Sequence, residues 1–210
     1  MLAVLDVVAP AYMVDGKPEP NPVGVLCHRI EARYKLIVGR PALRLNVSNS
    51  VTGLAGIDIA GIEIAPLSLG DVVLSENEKD LGCALINFGA GVTSVAIYKG
   101  GKLIDLSVVP LGSNLITKDI TALHVVESEA ERLKLTYGAA KADREHDMEI
   151  PLSAADGSVR KLNLYELNSV VEARMDEILQ NVYARLESSR ALPSLGAGVV
   201  IAGGGSALKG

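Results

Sequence analysis

The 210-residue chain has no tryptophan, one phenylalanine and only 3% aromatic residues, although 49% of it is hydrophobic. Its interior must therefore be built from Val, Leu, Ile and Ala in aliphatic layers, which suits sheets covered by helices. Cysteine is scarce. Cys27 and Cys83 both lie in apolar runs, where a small buried thiol in a reducing cytoplasm is the expectation. Their sequence neighbours add no chemistry: on a strand Cys27 and His28 would point to opposite faces and form no dyad. The three histidines, His28, His124 and His146, lack metal-ligand spacing. There is no Lys/Arg run, and the net charge is −5, so no basic face exists to release counterions from a phosphate backbone and nucleic acid is not an expected partner. No apolar run reaches about 18 residues and no basic-then-apolar leader is present, so the expectation is an untargeted soluble chain.

What is present reads as two α/β units. "LAVLDVVAP" is a β-branched run expected to stop at Pro10, "VDGKPEPNPVG" is a turn-rich loop, and "RIEARYKLIV" alternates as a strand. Pro41 opens a helix whose Leu43, Val47, Val51 and Leu54 repeat every three or four residues, with Gly56 as its stop. "GIDIAGIEIAP" then reads as a strand ended by Pro66, giving a β-β-α-β unit over residues 1–66. Residues 67–81 are a connecting short helix and charged turn. From Gly82 the strands "CALINFG", "TSVAIYKGG" and "KLIDLSVVPLG" form an antiparallel meander. Two helices follow, "SNLITKDITALH" and "ESEAERLKLTYGAA", the second with Glu127, Glu129 and Glu131 near its positive end and Gly138 at its close. A hairpin around Asp156-Gly157 leads to a long helix with Leu164, Leu167, Val171, Met175, Ile178, Val182 and Leu186 on one stripe. "AGVVIAGGGSALKG" ends the chain as a buried strand running into three glycines.

The glycines carry the chemistry. Neither Gly-x4-Gly-Lys-Ser/Thr nor Gly-x-Gly-x-x-Gly opens a helix here. In "NFGAGVTSVAIY" the glycines instead join two strands, so a phosphate would meet backbone N–H groups of the turn, with Thr93 able to add a hydroxyl. Gly89 and Gly91 would permit that approach, and on this stretch alone a plain tight turn explains them equally well. A second strand-glycine element, Gly203, Gly204 and Gly205, weights the balance toward a nucleotide.

Taken together, "GCALINFGAGVTSVAIYKGGKL", "VPLGSNLITKDI", "EAERLKLTYG", "VVEARMDEI" and "VVIAGGGSALKG" resemble the second half of the actin-like ATPases, and within them the FtsA family of bacterial cell-division proteins. "YMVDGKPEPNPVGVLCHRIEARYKLIVG" is similar to the inserted subdomain, written 1C and of SHS2 type, that marks that family. The resemblance implies a mixed sheet flanked by helices in residues 82–210, with a 2B-like part at about 117–190. It implies an ATP-binding, polymer-forming scaffold, with Mg²⁺, that ties the FtsZ ring to the inner face of the cell membrane at the septum. Gly89, Ala90, Gly91, Val92 and Thr93 match the second phosphate loop, and Gly203, Gly204 and Gly205 the adenosine motif. Glu131 and Lys134 match a pair contacting ribose or base, against the plainer reading of a solvated i,i+3 ion pair worth about 0.2–0.5 kcal/mol. Arg174 falls in the region that receives the FtsZ C-terminal tail.

The family's phosphate loop reads Asp-Ile-Gly-Gly-Gly-Thr-Thr-Asp, whereas this chain has Asn87-Phe88-Gly89-Ala90-Gly91-Val92-Thr93-Ser94. Asn87 supplies an oxygen without the charge that helps hold Mg²⁺, so hydrolysis is expected to suffer more than binding, and no catalytic residue is assigned. The resemblance also implies a preceding subdomain with a first phosphate loop and a following membrane-binding amphipathic tail, so this chain is expected to be a piece with weak nucleotide affinity and no turnover. The alternatives are a pilus-assembly relative with another partner, or a phosphoryl-transferring enzyme of the same superfamily.

Overall fold

A computed structural model describes residues 2–153 and 157–210, so Asp156 lies outside the described residues. The chain divides into two units, residues 1–68 and 69–210.

In the first unit three strands, β1 (Ala3–Val14), β2 (Lys17–Glu19) and β3 (Ile30–Gly39), form an antiparallel sheet in the order β2-β1-β3. β1 continues past Pro10, contrary to expectation. The pairing with β3 shifts register between Val8 and Ala11, and a proline that cannot donate to a ladder is tolerated at such an irregularity. Asp15 and Gly16, with φ of 47° and 79°, make the two-residue turn into β2. The Asp15 carboxylate also accepts from the N–H groups of His28 (3.1 Å) and Arg29 (2.8 Å), which fastens the proline-rich connection to the turn. Cys27 sits in that connection outside any strand, exposed and not buried as expected, whereas Cys83 is buried.

Pro41 opens α1 (Pro41–Ser48), which continues as a π-helical turn over Asn49–Leu54, and Gly56, at φ 64°, follows its end in the left-handed conformation. The strand expected in "GIDIAGIEIAP" is absent. A period-2 apolar pattern becomes a strand only when a neighbouring edge takes its hydrogen bonds, and among the described residues none pairs with residues 57–64. Pro66 ends nothing and lies instead in the first turn of α2 (Ala65–Val73), where its missing N–H costs nothing.

The segment read as a charged turn is also a helix, α3 (Glu76–Leu81). Its start is a capping box: Ser75 Oγ accepts from Glu78 N, and the Glu78 carboxylate accepts from Ser75 N at 2.8 Å.

The second unit is built on a four-stranded mixed sheet of order β6-β5-β4-β9. β4 (Cys83–Phe88), β5 (Thr93–Lys99) and β6 (Lys102–Val109) form the expected antiparallel meander, and β9 (Gly198–Ala202) pairs parallel to β4. β9 is the sheet edge and alternates between exposed and half-buried residues, so the expected burial of that strand is not found. The remaining elements are α4 (Ser113–Ile120), α5 (Glu127–Tyr137), the hairpin β7 (Glu149–Ser153) and β8 (Val159–Asn163), and α6 (Leu164–Ser188).

The apolar stripe of α6 serves two cores. Val182 and Leu186 cover Ala84, Ile86, Val95 and Ile97 of the sheet, while Leu167, Val171, Met175 and Ile178 close a second core with Ile116, Ile120, Leu133 and Ile150. A single helix 25 residues long thereby holds the sheet to the helical layer.

Glu129 ties α5 to the β7–β8 hairpin. It is 8% exposed, and its carboxylate accepts two 2.7 Å bonds from Arg132 and one of 2.9 Å from the N–H of Ser153. The Arg132 bond, helped by Ser153 and opposed by burial, holds the Glu129 pKa down at about 2 against an ordinary 4.5. Because the folded pKa is depressed, the stabilisation is fully present above pH 4.5 and is lost as pH falls toward 2. With Arg132 half-exposed, Glu129→Gln should destabilise the chain by about 2 kcal/mol at pH 7. Urea titrations should show that gap shrinking steadily between pH 5 and pH 2; a pH-independent gap would contradict the charge assignment.

Candidate functional site

The two glycine elements meet at one end of the sheet because β4 and β9 are parallel neighbours. Asn87, the last but one residue of β4, is in register with Ala202, the last residue of β9. Gly203 is required there twice: its φ is 92°, and a Cβ on it would stand 2.6 Å from both Asn87 Oδ1 and Phe88 O. Gly205 packs directly on the Phe88 ring, where a Cβ would lie 2.5 Å from Cδ1.

Between this end of the sheet and helices α4 and α5 lies a cavity of about 310 Å³, within the range of small-molecule sites. Ala90 from the β4–β5 turn, Glu131 and Lys134 from α5, and Gly204 and Gly205 line it. The remaining sequence-proposed residues are close by in the chain but do not line it: Gly89, Gly91, Val92 and Gly203 shape the two turns.

The β4–β5 turn closes through Gly89 N to Val92 O at 3.0 Å. The amides of Ala90, Gly91 and Val92 have no partner among the described residues. The turn's carbonyls have another use, accepting the first N–H groups of α4: Ser113 N to Gly89 O at 3.0 Å and Asn114 N to Ala90 O at 2.9 Å. This seats the helix on the turn. Thr93 is only 1% exposed and donates its hydroxyl to Leu111 O at 2.8 Å, so the role of an extra phosphate donor does not suit the side chain as placed.

Glu131 and Lys134 are more than a solvated surface pair. Lys134 is 7% exposed, and its Nζ lies 2.7 Å from Glu131 Oε2, 2.8 Å from Thr117 Oγ1 and 3.4 Å from Ser113 O. Burial alone would raise the Glu131 pKa, but hydrogen bonds from Lys134 and Thr117 outweigh it and hold the carboxylate below its ordinary value.

The structure adds Ser113, Asn114, Ile116, Leu135 and Lys209 to the lining. Ser113 and Asn114 open the helix "SNLITKDITALH", but nothing in the sequence pattern announced any of the five as lining residues.

The described residues supply few charged oxygens beside the turn. Asn87 is neutral, and no group of three or more His, Cys, Asp or Glu with metal-binding geometry occurs among the described residues. Arg174 belongs to a different place, the α4–α6 contact. Its Nε and Nη2 grip Asp119 at 2.5 and 3.0 Å, and Nη1 bonds Glu177. The guanidinium expected to receive an acidic tail is thus already paired with two carboxylates.

This architecture is that of the actin-like proteins. The chain aligns over its full length with a chain of the PilM-PilN type IV pilus biogenesis complex at a TM-score of 0.68 and 18% identity, covering 51% of that chain. Against a non-polymerising mutant of MamK bound to AMPPNP the TM-score is 0.56 at 17% identity, covering 80% of this chain and 53% of that one. A family model described as "Cell division protein FtsA" matches residues 84–210, and the chain belongs to that family. The FtsA of Porphyromonas gingivalis is 39% identical over 207 residues, covering 98% of this chain and 43% of the relative. The FtsA of Bacillus subtilis is 36% identical over 211 residues, covering 99% and 48%. The chain therefore spans about half the length of the curated relatives it matches.

Proposed function

We propose that this chain supplies the nucleotide-holding half of a cell-division scaffold that binds ATP, self-associates into polymers and links the FtsZ ring to the cytoplasmic membrane. The observation that carries the reading is the meeting of two unrelated glycine elements and the Glu131–Lys134 pair around one cavity of about 310 Å³. Free amides in the β4–β5 turn would receive phosphate oxygens, as backbone concavities do. Glycines 204 and 205 would let the backbone lie against a flat purine, and the Glu131–Lys134 pair would meet the sugar.

Nucleotide acts in this reading as a ligand whose differential affinity shifts an assembly equilibrium, and hydrolysis is no part of the role, since no protein carboxylate stands in the turn. Division between residues 1–66 as the insert subdomain, 67–81 as connection and 82–210 as the actin-like half belongs to the same proposal. Within it, Arg174 and its neighbours on α6 would receive the FtsZ tail, and the protein would work peripherally at the inner membrane face.

Phosphate release tests the scaffold reading against an enzymatic one. The unmodified protein is expected to turn over at least about 100-fold below the roughly 10 s⁻¹ typical of enzymes. Asn87→Asp, which restores a carboxylate beside the turn, should raise the rate without tightening ATP binding. Rapid turnover by the unmodified protein would overturn the scaffold reading.

A further inference from the structure

We propose that the outer edge of β9 is an interaction surface for a second copy of this chain: two β9 strands pair antiparallel about a two-fold axis and close a dimer beside α6. The pairing depends on the sheet alone and holds whether or not the cavity takes a nucleotide.

β9 pairs with β4 on one side only. Its other side presents the N–H and C=O groups of an open ladder, which a further strand can fill. Proteins ordinarily blunt such edges with charge, proline, a bulge or short length. The other strand edges among the described residues follow that rule. β6, at the far side of the same sheet, carries Lys102 and Asp105 and a register shift in its pairing between Ile97 and Tyr98. β3 carries Glu31, Arg33 and Lys35, and β2 is three residues long. Pro151 and Lys161 mark the two strands of the β7–β8 hairpin. β9 has none of these features, and no Asp, Glu, Lys or Arg occurs between Arg190 and Lys209.

The side chains at this edge are apolar as well. Val199 and Ile201, in register with Ala84 and Ile86, lie on the face that α6 covers, yet they are 47% and 54% exposed. A cleft of about 210 Å³ separates Ile201 from Met175, Leu179 and Val182 of α6. Leu179 and, one turn further along the helix, Tyr183 are exposed too. The hydroxyls at the cleft are used internally, Thr93 donating to Leu111 O and Ser206 to Gly203 O at 2.8 and 2.6 Å. An occupant therefore gains from apolar contact and from the open ladder.

A second β9 is the occupant these features select. An acidic or basic segment would find no opposite charge here, whereas β9 meets its own uncharged, β-branched sequence without like-charge repulsion. Antiparallel pairing centred on Val200 sets Val199 of each copy opposite Ile201 of the other, an isologous contact that closes at two chains. With Leu179 and Tyr183 beside them, two such strands cover on the order of 1,000 Å² in total, the low end for a specific interface. The dimer should accordingly be reversible, with a Kd of about 10 µM.

The test is sedimentation equilibrium of the full chain from about 1 to 200 µM, where the unmodified protein should pass from monomer to dimer. Val199→Lys puts a charge on the exposed edge and should weaken the dimer at least about 10-fold while circular dichroism shows the fold retained. Adding Ile201→Glu to it sets lysine opposite glutamate across the two-fold axis. That double variant should recover about 3- to 5-fold of the loss at low salt, a gain that about 0.5 M NaCl removes.

A folded chain that stays monomeric throughout would overturn the proposal, as would a dimer unchanged by Val199→Lys. Growth past two copies would overturn the closed two-fold contact, and a double variant no better than Val199→Lys would overturn the register centred on Val200.

Discussion

Alanine at Gly112 is expected to cost about 2–3 kcal/mol of stability and to abolish nucleotide binding. Gly112 precedes α4 with φ −149°, ordinary extended backbone, so the requirement is for space and not for an unusual conformation. A Cβ there would stand 2.4 Å from Ala90 O, 2.6 Å from Ala90 C and 2.7 Å from Gly89 O. All three atoms are backbone, and no rotamer change can relieve the clash. The turn and helix must separate, which breaks the Ser113–Gly89 and Asn114–Ala90 hydrogen bonds and opens the cavity at its phosphate end. Gly91→Ala is the matched control, since nothing lies within 4 Å of its added carbon, and its effect should stay within about 0.5 kcal/mol. Urea denaturation of the two variants decides the point. Equal stability would mean that the turn and helix are not in the contact described.

Arg174→Ala should have a comparable effect on stability, about 2–3 kcal/mol, for a different reason. The guanidinium is three-quarters buried and holds Asp119 with two bonds, so its removal strands a carboxylate between α4 and α6. Asp119→Asn keeps the shape and one acceptor and should cost less, and a double-mutant cycle should return a coupling of about 1–2 kcal/mol. The pairing also governs any acidic partner. A tail carboxylate that reaches Arg174 must displace Asp119, so Asp119→Asn should tighten binding of an FtsZ C-terminal peptide several-fold in an anisotropy titration. Unchanged affinity in Asp119→Asn would place the tail elsewhere on the protein. Loss of binding in Arg174→Glu would not by itself establish contact, because that substitution also opens the helix pair.

Much of the second unit was legible because its signals are long or repeated. The stripe from Leu164 to Leu186 spans six turns and buries as its period requires. The meander declared itself through three apolar runs cut by glycine turns. Short signals misled where tertiary context decides. "GIDIAGIEIAP" has strand periodicity without a partner edge, and Pro10 sits at a register shift that a linear reading cannot see. Ser75 and Glu78 spell a capping box, a short signal that the run of charges around it obscures.

The site was legible in its glycines but not in its division of labour. Glu131 and Lys134 both line the cavity, yet their spacing is equally that of any surface ion pair. Thr117 is 14 residues from Glu131 in sequence and gives no sign of their 2.5 Å bond. Thr93 looked like a phosphate donor because a hydroxyl follows the glycines. Strand alternation turned it inward instead, toward Leu111.

The most direct test of the account is a calorimetric titration of ATP into the full chain beside Gly205→Val, whose side chain would collide with the Phe88 ring and displace the cavity-lining backbone at residue 205. Saturable one-to-one binding by the unmodified protein, lost in a Gly205→Val variant that circular dichroism shows to be folded, is the predicted result. A folded, unmodified chain that shows no saturable heat up to roughly 10 mM ATP, or equal binding by both proteins, would contradict it.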